Sequence, residues 1–394
     1  MRAERWPLSE PEVAGLMDSL CFDYFKWDVD ACGRRLVLSE SVVLTPSEHD
    51  SVVAICERFD GILARLEDAL LGRPDLLRRL GIPAKVLPLL RDDPECGLQL
   101  ARYDVFLTPD GRWTISEFNE DAPGGFNEAD GLPALLGSSL TGAGFRGDLR
   151  AAVVEALRPY AHVALLYATG YAEDLQHVLI VRKWLEAEGH TTELASPSHV
   201  RAGWRGPTCF GRRCDAAFRF YPGEWFQWLE NLRDWRRVAA RLPMMNPLRR
   251  LLRQSKRLYA FWRDPDLLPL GDIEFIADHT PATRPLEDVP EEGDRSRWVL
   301  KNAFGRMGDM VTVGGMVGEK EWHEALLAAR RAPADWLLQE RFEVAPVQDG
   351  GPAFYPALGV YLVNRRFAGY YSRAAYQPYI NHEAYHVATL VEPA

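Results

Sequence analysis

One stretch constrains the fold more than any other: from Leu98 the chain reads LQLARYDVFLTPDGRWTISEFNED. Two runs of alternating side chains flank a Thr-Pro-Asp-Gly turn, so the segment predicts a β-hairpin closing at Thr108 to Arg112. Successive side chains on a strand point to opposite faces. Arg102 and Asp104 therefore share a face, as do Glu117 and Asn119. Two carboxylates, an amide oxygen and a guanidinium suit Mg²⁺ held against a polyphosphate, because hard cations take oxygen ligands. The same alternation suits an ordinary charged hairpin face, with Tyr103, Val105, Leu107 and Phe118 on the buried side.

Around this hairpin the chain changes character. Residues from about Glu10 to about Leu90 carry helical periodicity, clearest in Val52, Ile55, Phe59, Ile62, Leu63, Leu66 and Leu70. A helix near Asp148 to Leu157 leads into HVALLYATG, a buried strand, then an amphipathic helix over Asp174 to Ala187 ended by Gly189. Cys214 to Tyr221 reads as a later strand of the same open α/β lobe. Asp278 to Ser296 is rich in Pro, Glu and Asp and predicts a loop or linker. Beyond it come a strand with a glycine-rich turn (RWVLKNAFGRMGDMVTVGG), a helix near Glu319 to Ala332, and three strands, WLLQERFEV, YPALGVYLV and RFAGYYSRAA. That alternation suits one antiparallel sheet with helices on one side.

With 394 residues, 47% of them hydrophobic, the chain has ample core for two or three lobes. Its net charge of -10 argues against a nucleic-acid surface, which needs clustered Lys and Arg. Met1 to Ser9 is charged with no apolar run behind it, and no stretch approaches the ~20 apolar residues of a membrane span. The six cysteines (Cys21, Cys32, Cys56, Cys96, Cys209 and Cys214) are scattered, which reads as reduced cytoplasmic thiols without structural zinc.

Further segments carry chemistry-bearing residues. Lys301 leaves an apolar strand into the turn Gly305-Arg306-Met307-Gly308, where backbone N–H groups can cradle phosphates; a plain glycine-rich hairpin turn fits equally. The spacing is neither a P-loop nor a dinucleotide fingerprint. Lys256 sits in NPLRRLLRQSKRLYAFW, a basic helix on which a lysine ordinarily lies on a solvated face. Gln339 and Glu340 end a strand where backbone and carboxylate can meet an adenine, or form a strand edge. His382 and His386 lie four apart, but Tyr385 and Pro378 argue against a zinc helix. No nucleophile elbow or cysteine-nucleophile motif is present.

In this order, from about Leu98 to the C-terminus, these segments resemble the synthetase domain of the glutathionylspermidine synthase family. The resemblance implies an ATP-grasp fold, α/β with α+β lobes, in the permuted order of eukaryotic glutathione synthetase. It implies magnesium, as two ions, at Asp104, Glu117 and Asn119, with Arg102 at the reacting phosphate. Lys256 matches the family's first nucleotide lysine, with Ser255 in place of Asn; Lys301 matches the second, with Asn302 in place of Pro. ATP would lie against Lys256, Lys301, Gly305, Gly308, Gln339 and Glu340, and the substrates against Arg306, Glu128 and Glu224. Tyr221-Pro-Gly-Glu-Trp225 is similar to a family signature with Gly223 replacing Trp, and Arg373 in the G-x-x-x-R of Gly369 to Arg373 matches an arginine that stabilises transferred charge. Pro123, Gly124 and Gly125 stand where the family has small hydroxyl residues tied to thiol-peptide recognition.

The expected organisation is a helical region with the metal hairpin over 1–145, a substrate lobe over 146–245 and a nucleotide lobe over 246–394. The expected activity is an ATP- and Mg²⁺-dependent carboxylate–amine ligase acting on a small-molecule or peptide carboxylate and an amine. The alternatives are a non-catalytic nucleotide- or peptide-binding protein and a kinase that stops at the phosphorylated acid.

Overall fold

The computed structural model describes every residue except 32, 92–97, 290–292, 307–309 and 394. Its largest sheet has seven strands in the order Arg2–Arg5, Val37–Leu44, Tyr385–Val391, Arg366–Ala375, Tyr355–Val363, Leu100–Leu107 and Trp113–Asn119. Neighbours run antiparallel except Val37–Leu44 beside Tyr385–Val391, which are parallel. The two faces do different work. Tyr103, Val105, Leu358, Val360 and Leu362 pack with Val52, Phe59, Leu63 and Leu66 of the long helix Pro46–Leu71. The opposite face carries Arg102, Asp104, Tyr361 and Tyr371, the alternation the hairpin sequence requires.

A second sheet, all parallel, runs Met244–Met245, Ala216–Phe220, His162–Tyr167 and Thr191–Ala195, with helix Ala172–Ala187 crossing between the last two. That helix ends as the sequence predicts: Gly189 takes φ +86°, a left-handed conformation natural to glycine. A third, antiparallel sheet runs Thr283–Pro285, Trp336–Glu340, Trp298–Asn302 and Val311–Val313. Trp298, Leu300 and Leu338 pack on Trp322 and Leu326 of helix Glu319–Ala329, which leaves Lys301 and Gln339 on the other side.

Four expectations are corrected. The helical reading of Glu10 to Leu90 misses strand Val37–Leu44, a short segment without alternating burial between the periodic helices Glu10–Asp23 and Pro46–Leu71. The boundary is chemically marked: Thr45 Oγ1 accepts from Glu48 N at 3.2 Å and Glu48 Oε2 accepts from Thr45 N at 2.8 Å, a capping box. The Asp278 to Ser296 linker contains the paired strand Thr283–Pro285 and buried Leu286 and Val289, so that part is built into the third sheet. The three C-terminal strands do not share a sheet: Trp336–Glu340 joins the third and the other two join the seven-stranded one. The basic helix around Lys256 breaks at Ser255 (ψ 116°) into helix Leu251–Gln254 and a 3₁₀ turn Lys256–Ala260. Among the described residues, no helix is long and apolar enough to cross a membrane.

Candidate active site

Hairpin register sets the first part of the site. Arg102 lies opposite Asn119 and Asp104 opposite Glu117, and Thr108 N donates to Arg112 O at 2.9 Å to close the turn. Arg102 grips Asp104 with two bonds, Nε to Oδ1 at 2.8 Å and Nη2 to Oδ2 at 3.1 Å, and donates Nη1 to Gly124 O at 2.7 Å. Asn119 Nδ2 donates to Asp104 Oδ2 at 3.2 Å. Gly359 faces Asp104 from the neighbouring strand, where a Cβ would stand 3.0 Å from Arg102 Cδ. The bare backbone there chiefly admits the Tyr371 carbonyl, whose oxygen would stand 2.0 Å from such a Cβ, with the arginine stem beside it.

Two lysines meet this hairpin from other elements. Lys256 is 2% exposed, not on a solvated face, because the break at Ser255 turns it inward. Its Nζ lies 2.9 Å from Glu117 Oε1 and 2.6 Å from Gly305 O. The segment is clamped to the hairpin: Gln254 Oε1 accepts from Glu120 N and Asp121 N, each at 3.1 Å, and Tyr259 OH accepts from Phe118 N at 2.9 Å. Lys301, 9% exposed, donates Nζ to Gln339 Oε1 at 2.7 Å. Burial lowers its ammonium to about 8, with Glu117 opposing and Lys256 adding to the effect. Burial alone would raise the Glu117 carboxyl, but Lys256 and Lys301 outweigh it and hold it below its ordinary range.

The expected substrate residues are arranged differently. Arg306 pairs with Glu224 and reaches Asp121 Oδ2 at 3.3 Å. Asp121 in turn holds Arg219 at 2.7 Å, both side chains at 0% exposure, and accepts from Gly223 N at 2.8 Å. Arg373 lies opposite His386 on the face shared with Arg102. Among the described residues its guanidinium has no hydrogen-bond or ion-pair partner. Two expected contacts are not brought to the cluster. The Glu340 carboxylate pairs with Arg297 at 2.7 Å, away from Lys301 and Gln339. Glu128 is 3% exposed and already paired with Lys26 at 2.8 Å and His386 at 3.1 Å, so it does not face an open substrate site. Gly308 lies outside the described residues.

Lys26, His177 and Tyr371 escaped the sequence reading, and His386 was weighed only as a zinc ligand. His177 Nε2 accepts from Gly125 N at 2.8 Å while Nδ1 faces Glu173 O at 2.7 Å, which requires the neutral ring. Burial lowers His177 to about 4, and burial with Lys26 nearby does the same for His386. Burial would raise Glu128, yet Lys26 and His386 bring it to about 2. The alternation of YHVATLV was the available signal for His386, since it places the ring on the site face of a strand.

Among the described residues, no group of three His, Cys, Asp or Glu side chains is placed to hold a metal. The candidate set contains two carboxylates and an amide, Asp104, Glu117 and Asn119, adjacent by register and all oxygen donors. Such a set fits Mg²⁺, which completes its shell with water and phosphate oxygens.

A sheet face carrying two carboxylates and an amide, approached by one buried lysine from a 3₁₀ turn and another from a separate antiparallel sheet, belongs to an α+β protein of ATP-grasp-like fold. The chain belongs to the glutathionylspermidine synthase preATP-grasp family, whose model matches residues 14–392. The match therefore begins well before Leu98 and takes in most of the first helix, Glu10–Asp23. Among solved structures, a glutathione synthetase-like effector (GSS30) from Globodera pallida in its apoform is similar over 98% of this chain and 100% of its own, with TM-score 0.66 and 12% identity. A putative gamma-glutamylcysteine synthetase from Methylobacillus flagellatus KT covers 82% of this chain and 84% of its own, with TM-score 0.45 and 13% identity. No curated protein matches the chain in sequence.

Proposed function

We propose that the chain is a cytoplasmic, ATP- and Mg²⁺-dependent carboxylate–amine ligase that forms an amide through an acyl phosphate. One observation carries the reading: Lys256 and Lys301, from different elements, are buried against the hairpin face of Asp104, Glu117 and Asn119. Burying two ammonium groups is costly unless an anion faces them, and a polyphosphate is such an anion.

Asp104, Glu117 and Asn119 would hold the Mg²⁺, two ions in this reading, whose charge neutralises the phosphate oxygens. Lys256 and Lys301 hold the nucleotide phosphates, with Gln339 beside the nucleotide. Gly305 is tied to Lys256 Nζ through its carbonyl and so lies beside the same phosphates. A donor carboxylate oxygen attacks the γ-phosphorus, the bond to the bridging oxygen breaks, and ADP leaves. Arg102 and Arg373 stabilise the transferring phosphoryl, each worth on the order of 3 kcal/mol, or about 10² to 10³ in rate. Arg306 exchanges Glu224 for the donor carboxylate. The amine nitrogen then attacks the acyl carbon, phosphate departs, and the amine proton passes to solvent.

The test is ADP release across libraries of carboxylates and amines. Release that requires Mg²⁺, a carboxylate and an amine together supports the ligase. A stable phosphorylated product formed without amine would mean a kinase, and full ATP occupancy without ADP a binding protein.

A further inference from the structure

Beside Arg102 lies a buried cluster that the proposed chemistry does not use. Lys26, Glu128 and His386 are 4%, 3% and 8% exposed and come from three separate elements. Glu128 Oε1 lies 2.8 Å from Lys26 Nζ and 3.1 Å from His386 Nδ1, and His386 Nδ1 lies 3.2 Å from Tyr371 OH. The cluster thus ends on a tyrosine. The Tyr371 ring stands beneath Arg102, whose Cζ is 5.1 Å from the ring centre.

The surrounding backbone is shaped for that ring. Gly125 has φ +100°, and a Cβ there would come 2.4 Å from Tyr371 Cγ, so the ring lies flush on the glycine. The guanidinium is held at its edge by Asp104 and Gly124 and on its face by Tyr371. An arginine that must leave one anion for another keeps its aim only if its plane stays fixed.

We propose that Tyr371 is a positioning residue for Arg102, held beneath the guanidinium by His386 and Glu128, with Lys26 balancing the Glu128 charge. This rests on the reading that Arg102 meets the transferring phosphoryl group. Gly125 and Tyr371 form one fitted pair that gives the guanidinium a floor, and the buried relay keeps the floor from turning.

The test uses the full chain with Mg²⁺, ADP and aluminium fluoride, a probe that presents the transferring charge without needing the natural substrates. Arg102→Met is expected to weaken its binding about 10²-fold, while ADP with Mg²⁺ alone changes less than about twofold. Tyr371→Leu is expected to weaken it about tenfold, and Tyr371→Phe, which keeps the ring, less than about threefold. In an Arg102→Met background, Tyr371→Leu should add no further loss, because a residue acting only through Arg102 has nothing left to orient. Additive losses overturn the proposal.

Should Tyr371→Leu not fold by thermal unfolding, His386→Ala replaces it: about threefold weaker binding alone and none added behind Arg102→Met. Normal binding by Arg102→Met, or no binding by the wild type, overturns the reading of Arg102 and the inference with it. Weak binding by Arg102→Met with normal binding by both Tyr371→Leu and His386→Ala overturns the inference alone.

Discussion

Lys256 Nζ lies 2.9 Å from Glu117 Oε1, and this pair joins the edge strand of the seven-stranded sheet to the 3₁₀ turn that follows Ser255. Glu117 also gives Lys301 its strongest opposing charge, so one carboxylate serves two buried ammonium groups. Glu117→Gln should leave the two cations facing each other and, on the proposed function, remove one of the magnesium's oxygen donors. The expected loss is about 10² to 10³ in ADP formation with the fold retained. ADP release alongside thermal unfolding measures it. Full activity in a folded Glu117→Gln protein would show that the metal is held elsewhere.

Lys301 gives a pH signature. Its ammonium is lowered to about 8 by burial, and a bound phosphate favours the charged form. Binding therefore takes up a proton when the free protein is above about pH 8. ATP affinity should hold steady below that pH and fall as pH rises through it, approaching about tenfold per unit well above. Titration calorimetry in buffers of different ionisation enthalpy reads the uptake directly. Lys301→Arg should abolish the uptake, because a guanidinium stays charged throughout.

The hairpin was legible because its information is local. Alternation, a Thr-Pro-Asp-Gly turn and charges two apart fix both register and face before any tertiary contact forms. The strand–turn–helix at His162 to Ala187 was legible for the same reason. Strand Val37–Leu44 was not, since its partners are residues 2–5 and 385–391, and pairing across the length of the chain leaves no local trace. Lys256 was misplaced because its burial follows from a single ψ at Ser255, which helical periodicity cannot register. Lys26, Glu128, His386 and Tyr371 meet only through the sheet, so their cluster is a tertiary fact.

The two buried histidines should set the acid limb of stability. His177 and His386 are lowered by burial to about 4 from an ordinary 6.5. Between those values the unfolded chain binds protons that the folded chain does not, so stability falls as pH drops from 6.5 toward 4. Each histidine contributes about 1.4 kcal/mol per pH unit in that window. Glu128, lowered to about 2 mainly by Lys26 against its own burial, contributes stability above its ordinary 4.5 that is lost between 4.5 and 2. Urea denaturation across pH 4 to 7 should show the slope, and His177→Gln should reduce it by about one proton. An unchanged slope in that variant would mean that His177 is charged in the fold.

Among the described residues, Asp121 and Arg219 are the most deeply buried ion pair near the site, 2.7 Å apart with both side chains at 0% exposure. Asp121 also accepts from Gly223 N and Arg306 Nη2, so it ties the Tyr221 to Trp225 segment and Arg306 to the end of the Leu100–Asn119 hairpin. Asp121→Asn keeps the shape but strips the charge from beneath a buried guanidinium, leaving only carbonyl dipoles to offset its desolvation. Removing one partner of such a pair costs about 3–5 kcal/mol, whereas removing both leaves no charge stranded. Urea unfolding should accordingly find Asp121→Asn severely destabilised and Asp121→Asn with Arg219→Met less so. A single-variant loss below about 1 kcal/mol would mean that Arg219 finds another acceptor, its bonds to the Asn246, Pro247 and Tyr221 carbonyls being the available ones.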